Sequence, residues 1–213
     1  MSEAKYVPAL GTRRLTPFYD IFCRWGMREA LIKGTLISNA HLGPGQRVLD
    51  VGSGTGTLAL MLKRAYPGAQ VFGIDGDEEI LSIARSKARE AGLAITFDQG
   101  MAFSLPYPDN SFDRVLSSLV FHHLSRADKE RASKEIYRVL RPAGEFHLLD
   151  IGKPQGWYAS LTSNLMRHGE YTTDNLDGKL GEILQQAGFQ SVQETAQHPT
   201  FVGTMRALRA SKT

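Results

Sequence analysis

Cysteine is almost missing: Cys23 is the single one in 213 residues, so no internal disulfide can form and a reducing, cytoplasmic setting is expected. No uninterrupted apolar run is long enough to cross a bilayer, and the opening MSEAKYVPAL lacks the apolar core of a signal peptide. Charge of one sign is scarce too, since 25 Lys and Arg face 22 Asp and Glu for a formal net charge of +3. The basic residues are dispersed, without the concentrated stripe that a nucleic-acid partner calls for. His41, His147, His168 and His198 are scattered, none at metal-ligand spacing from another ligand, so no metal is expected. Internal repeats and low-complexity tracts are also absent. What remains is ordinary globular composition, 42% hydrophobic, on a chain long enough for one large core.

Two parts are expected. Residues 1–43 read as an N-terminal helical lid segment, because TPFYDIFCRWGMREALIKGTLISNA carries apolar residues at helical spacing before the breaker LGPGQ. From residue 44 to 213, strands and helices alternate. RVLDVG, QVFGID, AITFDQ, FDRVLSSL and EFHLLDI read as strands. Helices are expected over 57–65, 78–91, 126–140 and 174–187, with FQSVQETAQ and FVGTMRALRA as closing strands around HPT. Strands joined through helices must run parallel, whereas the short HPT link makes the last pair antiparallel.

The chemistry starts at VLDVGSGTGTLAL, residues 48–60, where Gly52, Gly54 and Gly56 alternate after a buried strand. Such a loop costs backbone entropy unless a tight turn or a close approach to the main chain requires it. In an open parallel sheet, the loop after the first strand borders the ligand crevice, and an acid closing the second strand can take both hydroxyls of a ribose. Asp75 stands there, about 20 residues beyond the loop. A nucleoside-containing ligand is expected, and a carboxylate at that place disfavours a ribose phosphate.

VLDVGSGTG, GID, LPYPDNSFDRVLSSLVFHHL and EIYRVLRPAGEF together resemble the class I S-adenosylmethionine-dependent methyltransferases. The resemblance is to the type-11 branch, which includes the ubiquinone/menaquinone-biosynthesis C-methyltransferases. It implies an α/β, Rossmann-like fold with a seven-stranded, mostly parallel sheet of order 3-2-1-4-5-7-6. Strand 7 would be antiparallel, with helices on both faces. It also implies S-adenosyl-L-methionine as cofactor and a small-molecule acceptor, lipid-like or quinone-like. Position by position, Gly52, Ser53 and Gly54 would line the methionyl and ribose portion, with Gly56 completing the loop. Asp75 would hold the ribose and Gly76 lie under the adenine, while Ser117 and Ser118 offer carbonyls to the methionyl ammonium. Where the family has an acid against the adenine amine, this chain has Met101, followed by Ala102, whose backbone can still donate. Tyr19, in a YD pair, would touch the cofactor. The residues agree with a cationic ligand, for Asp50 would repel a pyrophosphate but attract an ammonium or sulfonium. A nicotinamide-dependent oxidoreductase is the rival, disfavoured because its third fingerprint glycine would fall on Thr57. A non-catalytic S-adenosylmethionine-binding partner is the other, kept open by Met101.

Methyl transfer from a sulfonium needs alignment and water exclusion, and a base only when the acceptor must lose a proton. His122 and His123, just past the fourth strand, are the candidate bases; the bland alternative is that they open the next helix and only pack or cap. Asp150, ending the fifth strand, either orients substrate or caps a loop. The apolar stretch 157–171 and the N-terminal segment would set acceptor specificity. Arg13, Arg14, Arg24 and Arg28 leave room for peripheral contact with an anionic membrane. A monomer or homodimer is expected. SSLV in place of a PPY-type motif counts against nucleic acid.

Overall fold

A computed structural model describes residues 29–153, 171–200 and 203–213. Among the described residues, helix α1 (Glu29–Ala40) leads into β1 (Arg47–Val51), α2 (Thr57–Ala65), β2 (Gln70–Asp75), α3 (Glu78–Glu90) and β3 (Ile95–Gln99). There follow β4 (Phe112–Ser118), a 3-10 turn (Phe121–His123), α4 (Arg126–Val139) and β5 (Leu140–Gly152). The chain closes with α5 (Thr173–Leu176), α6 (Leu180–Gln186), β6 (Gln190–Thr200) and β7 (Gly203–Ser211). The seven strands form one sheet of order β3-β2-β1-β4-β5-β7-β6. β1 to β5 run parallel, and β7 pairs antiparallel with both β5 and β6. This is the sheet that the alternation of elements demanded.

Period-2 alternation sorts side chains between two cores. Val48, Val71, Leu116 and Leu149 face one side with Leu36, Leu58 and Leu81 of α1, α2 and α3. Leu49, Val51, Val115 and Leu148 face the other, with Ile136 of α4 and Ile183 of α6. The same alternation puts Asp50 on the face of Val48, and Asp150 on the face of Phe146 and Leu148. Two ends of parallel strands thus carry an acid into opposite halves of the molecule.

Several boundaries differ from expectation. The helix expected over 174–187 is two helices, because Gly178 takes φ +77° between them. His198, Pro199 and Thr200 belong to β6, paired with Met205, Thr204 and Gly203, so HPT lies within the strand and is not the link between the two. β4 stops at Ser118 because Leu119 turns to φ +61°. Within the segment assigned to 1–43, Ile32, Leu36, Ile37 and Ala40 are buried in the first core, so this stretch packs on the body of the domain. Tyr19 and Cys23, and all of the 157–171 stretch except Tyr171, lie outside the described residues. Among the described residues, no helix is long and apolar enough to cross a membrane.

Candidate active site

The glycine loop joins the carboxyl end of β1 to α2. The N–H groups of Gly52 and Ser53 both donate to the Ile74 carbonyl (2.8 and 2.9 Å), which ties the loop to the end of β2. Gly52 has φ +71°, and a Cβ there would collide with the Val120 side chain, so this glycine serves packing. Gly54, at φ +51°, is different: a Cβ there would meet nothing within 4 Å, and the loop opens at that point. Asp75 holds it in place, its Oδ2 accepting from the Gly54 N–H (2.9 Å) and its Oδ1 from the Asp77 N–H (3.1 Å). Burial pushes the Asp75 carboxyl above its ordinary range, and these N–H donors offset part of that. A carboxylate has about four acceptor sites, so two remain for hydroxyls.

Around this loop, buried polar atoms go unpaired. Asp50 is 1% exposed and neither of its carboxylate oxygens has a hydrogen-bond partner. Burial, helped by the Asp75 charge, pushes its pKa from 3.8 up to about 7, against lowering pulls from the Lys33 charge and the Ala59 N–H, whose approach falls short of a well-formed bond. The hydroxyls of Ser53 and Ser118 are buried and unpartnered too, whereas that of Ser117 donates to the Val51 carbonyl (2.9 Å) and stitches β4 to β1. Buried polar atoms of this kind carry a free-energy cost until a partner is supplied, and these groups are placed where a polar or cationic ligand could supply one. The loop after β3 arrives from the adjacent side. The Gly100 N–H donates to the Asp75 carbonyl (2.9 Å), which sets half-buried Met101 and Ala102 beside the Asp75–Gly76 turn. Gly76 accepts there from the Gln99 side chain (3.3 Å).

The end of β5 is built oppositely. Asp150, also 1% exposed, has Oδ2 accepting from the Val120 and Phe121 N–H groups (3.1 and 2.8 Å). Its Oδ1 lies 2.8 Å from His122 Nδ1 and accepts from its neighbour Ile151 N–H (2.7 Å). Burial alone would raise this carboxyl; the charge and hydrogen bond of His122, with the Ile151 N–H, outweigh it and hold the pKa below its ordinary value. An ionised Asp150 fixes the His122 proton on Nδ1 and leaves Nε2 as the basic nitrogen, on a side chain still 11% exposed. The His123 ring centroid lies 3.9 Å from that of His122, and burial and the His122 charge push its pKa down to about 4. The His123 ring is therefore neutral near pH 7. Neither of the two readings left open for Asp150 named the partner that it meets, His122.

Lys129 and Asn175 were not singled out from sequence. Lys129 had a signal, since it stands one turn before buried Ala132 and Ser133 and two turns before buried Ile136 on the apolar face of α4. Asn175 had none.

The comparisons with known proteins agree with this geometry. A sequence family described as a methyltransferase domain matches residues 48–144. An uncharacterised methyltransferase of Synechocystis is 31% identical over 183 residues, covering 83% of this chain and 82% of that protein. The chain belongs to the S-adenosylmethionine-dependent methyltransferase family. A demethylmenaquinone methyltransferase of Thermus thermophilus is 45% identical to this family member over 109 residues, 51% of this chain and 49% of that relative. The match to the enzyme of the same name from Deinococcus radiodurans spans 44% of its length, so the chain covers about half of each. The fold of phosphoethanolamine N-methyltransferase 2 of Haemonchus contortus, solved with S-adenosyl-L-methionine, superposes with a TM-score of 0.78 at 18% identity. It covers 96% of this chain and 58% of that one.

Proposed function

We propose that the protein is an S-adenosylmethionine-dependent methyltransferase acting on a small hydroxylated aromatic, quinol-like acceptor, with His122 as general base. The observation that carries the donor half is the cluster of unpartnered buried groups around the open glycine loop: both Asp50 oxygens and the Ser53 and Ser118 hydroxyls. A carboxylate kept free of hydrogen bonds suits an ammonium or sulfonium and repels a pyrophosphate, which separates this reading from a nicotinamide enzyme. Asp75 would take the ribose hydroxyls, and Met101 would pack on the adenine above Gly76. Tyr19 would touch the cofactor, as the resemblance implies.

S-adenosylmethionine, when bound, supplies a methyl group on a sulfonium that is already a good leaving group. The chain's own residues have the acceptor to prepare. His122 Nε2 takes a hydroxyl proton from the acceptor, and Asp150 steadies the imidazolium that results. The phenolate so formed raises electron density on the neighbouring ring carbon and on oxygen, the two atoms open to methylation. The new bond to the methyl group would form as the methyl–sulfur bond breaks with its electron pair left on sulfur. A methylated ring carbon would then lose its hydrogen as a proton to water to restore the aromatic ring. The names of the Thermus and Deinococcus relatives, demethylmenaquinone methyltransferases, support the carbon and the quinol class.

The test is transfer of label from S-adenosyl[methyl-14C]methionine to reduced 1,4-naphthoquinone by the full chain. Label in the naphthalene product is expected, with kcat lowered about 100-fold or more in His122→Gln at unchanged donor affinity. Donor binding without transfer to any dihydroxyaromatic would refute the quinol-like acceptor class.

A further inference from the structure

Between β4 and the 3-10 turn that carries His122 stands one residue whose backbone does not suit its side chain. Leu119 takes φ +61°, in the left-handed region that glycine and asparagine enter readily and a branched side chain does not. Of the non-glycine residues at positive φ among those described, it alone carries a branched apolar side chain. A conformation of this kind persists only where its surroundings enforce it, and such conformations gather where geometry serves function. Here the Leu119 N–H donates to the Leu149 carbonyl (2.8 Å), and the half-buried side chain packs against the first core.

The turn at Leu119 decides where the next two N–H groups point. In extended chain, successive N–H groups alternate between opposite edges, so a strand carried on through 119 cannot send two of them to one acceptor. Val120 instead follows in the right-handed region, at φ −118° and ψ −44°. Successive residues of opposite hand turn their N–H groups inward and make a concavity for an anion. That concavity is filled from within: the Val120 and Phe121 N–H groups both donate to Asp150 Oδ2, at 3.1 and 2.8 Å. One residue further, His122 Nδ1 meets the other oxygen, Oδ1, at 2.8 Å. The main chain thus grips Asp150 by one oxygen and leaves the other turned to the imidazole.

We infer that Leu119 is a positioning residue for the base: its left-handed backbone builds the pair of N–H donors that fixes the Asp150 carboxylate against His122. The inference rests on the methyl-transfer reading for the reaction that His122 serves, but the arrangement it assigns can be read without any acceptor.

Imidazole 15N NMR of the full chain, labelled at histidine and held at pH 8, tests this, with the His122 signals identified by their loss in His122→Gln. The wild type should carry the His122 proton on Nδ1. Leu119→Val keeps most of the apolar bulk, but its β-branched side chain excludes the left-handed region, so the form protonated on Nε2 should become the major one. Leu119→Gly and Leu119→Asn discard the apolar side chain yet accept that backbone, and both should keep the proton on Nδ1. Lost packing would give the reverse order. In turnover with reduced 1,4-naphthoquinone, Leu119→Val should lower kcat about 100-fold at unchanged KM and donor affinity. In an Asp150→Asn background the same substitution should cost less than about twofold, because the two changes remove one arrangement. A wild type without the Nδ1 proton, or a folded Val variant that retains it, overturns the inference. If the Val variant fails to fold, the Gly and Asn variants decide: the Nδ1 proton kept in both supports the inference, and its loss overturns it. A wild type that holds the Nδ1 proton but methylates no diol overturns the acceptor class and leaves the role of Leu119 standing.

Discussion

Two aspartates, Asp50 and Asp150, end parallel strands of one sheet, and each is 1% exposed. Equal burial does not give equal chemistry. Asp50 meets no well-formed hydrogen bond, only a weak pull from the Ala59 N–H and the Lys33 charge, and burial takes its pKa up to about 7; Asp150 gathers three backbone N–H groups and an imidazole, and its pKa falls. The difference is one of partners. Val120, Phe121 and Ile151 solvate Asp150 from within the protein, so its charge is committed to orienting His122. Asp50 is left to be solvated by something else. An acid satisfied internally positions another side chain, whereas an acid buried and unsatisfied awaits a ligand, and a cationic one by sign.

The largest effect is expected where the committed acid is neutralised. Asp150→Asn keeps the shape but loses the charge that fixes the His122 tautomer, so kcat for methyl transfer should fall about 100- to 10,000-fold. Donor affinity, read by calorimetry, should move by less than about twofold. A variant with near-normal kcat would break the contrast between the acids. Next come two glycines of the same loop. Gly52→Ala collides with Val120 and carries φ +71°, so unfolding in urea should show a loss of about 3 kcal/mol or more. Gly54→Ala meets open space and should lose only about 1–2 kcal/mol, the left-handed cost, while still weakening the donor. Equal losses in both would mean that the loop does not open at Gly54. A third effect is ribose recognition: Asp75→Ala should weaken donor binding by about 1–3 kcal/mol in the same calorimetric assay. The smallest effect is on stability at Asp50. Its folded pKa of about 7 exceeds the ordinary 3.8, so the folded state keeps a proton that the unfolded chain loses between those values. Its contribution to stability therefore falls as pH rises through that window. Asp50→Asn should flatten this, raising Tm at pH 8 by about 2–4 °C, or about 1 kcal/mol.

Much of this contrast was legible from the chain. Alternating strands and helices dictate a parallel sheet, and the glycine loop with Asp50 and Asp75 lies where such a sheet binds ligands. Local pattern cannot show how a buried group is satisfied. Asp150 and His122 are 28 positions apart, and only the register of β4 against β5 brings them to 2.8 Å. The distinct parts of His122 and His123 were hidden for the same reason, since adjacent identical residues differ only in what faces them. The helix over 174–187 hid a break because Gly178 interrupts an otherwise helical run, and a lone glycine is tolerated in many helices. Asn175 sits beside that break, in a turn whose burial comes from packing on β5.

The most direct test of the central claim, that Asp50 is kept unpaired for a cationic donor, is S-adenosylmethionine affinity against pH in the wild type and Asp50→Asn. Below its pKa, Asp50 must give up a proton before it can face a cation, so wild-type affinity should rise with pH by up to about tenfold per unit and level near pH 7. The Asn variant should bind more weakly above pH 7 and show a shallower slope below it. Parallel curves for the two proteins, or equal affinity at pH 7.5, would contradict the account.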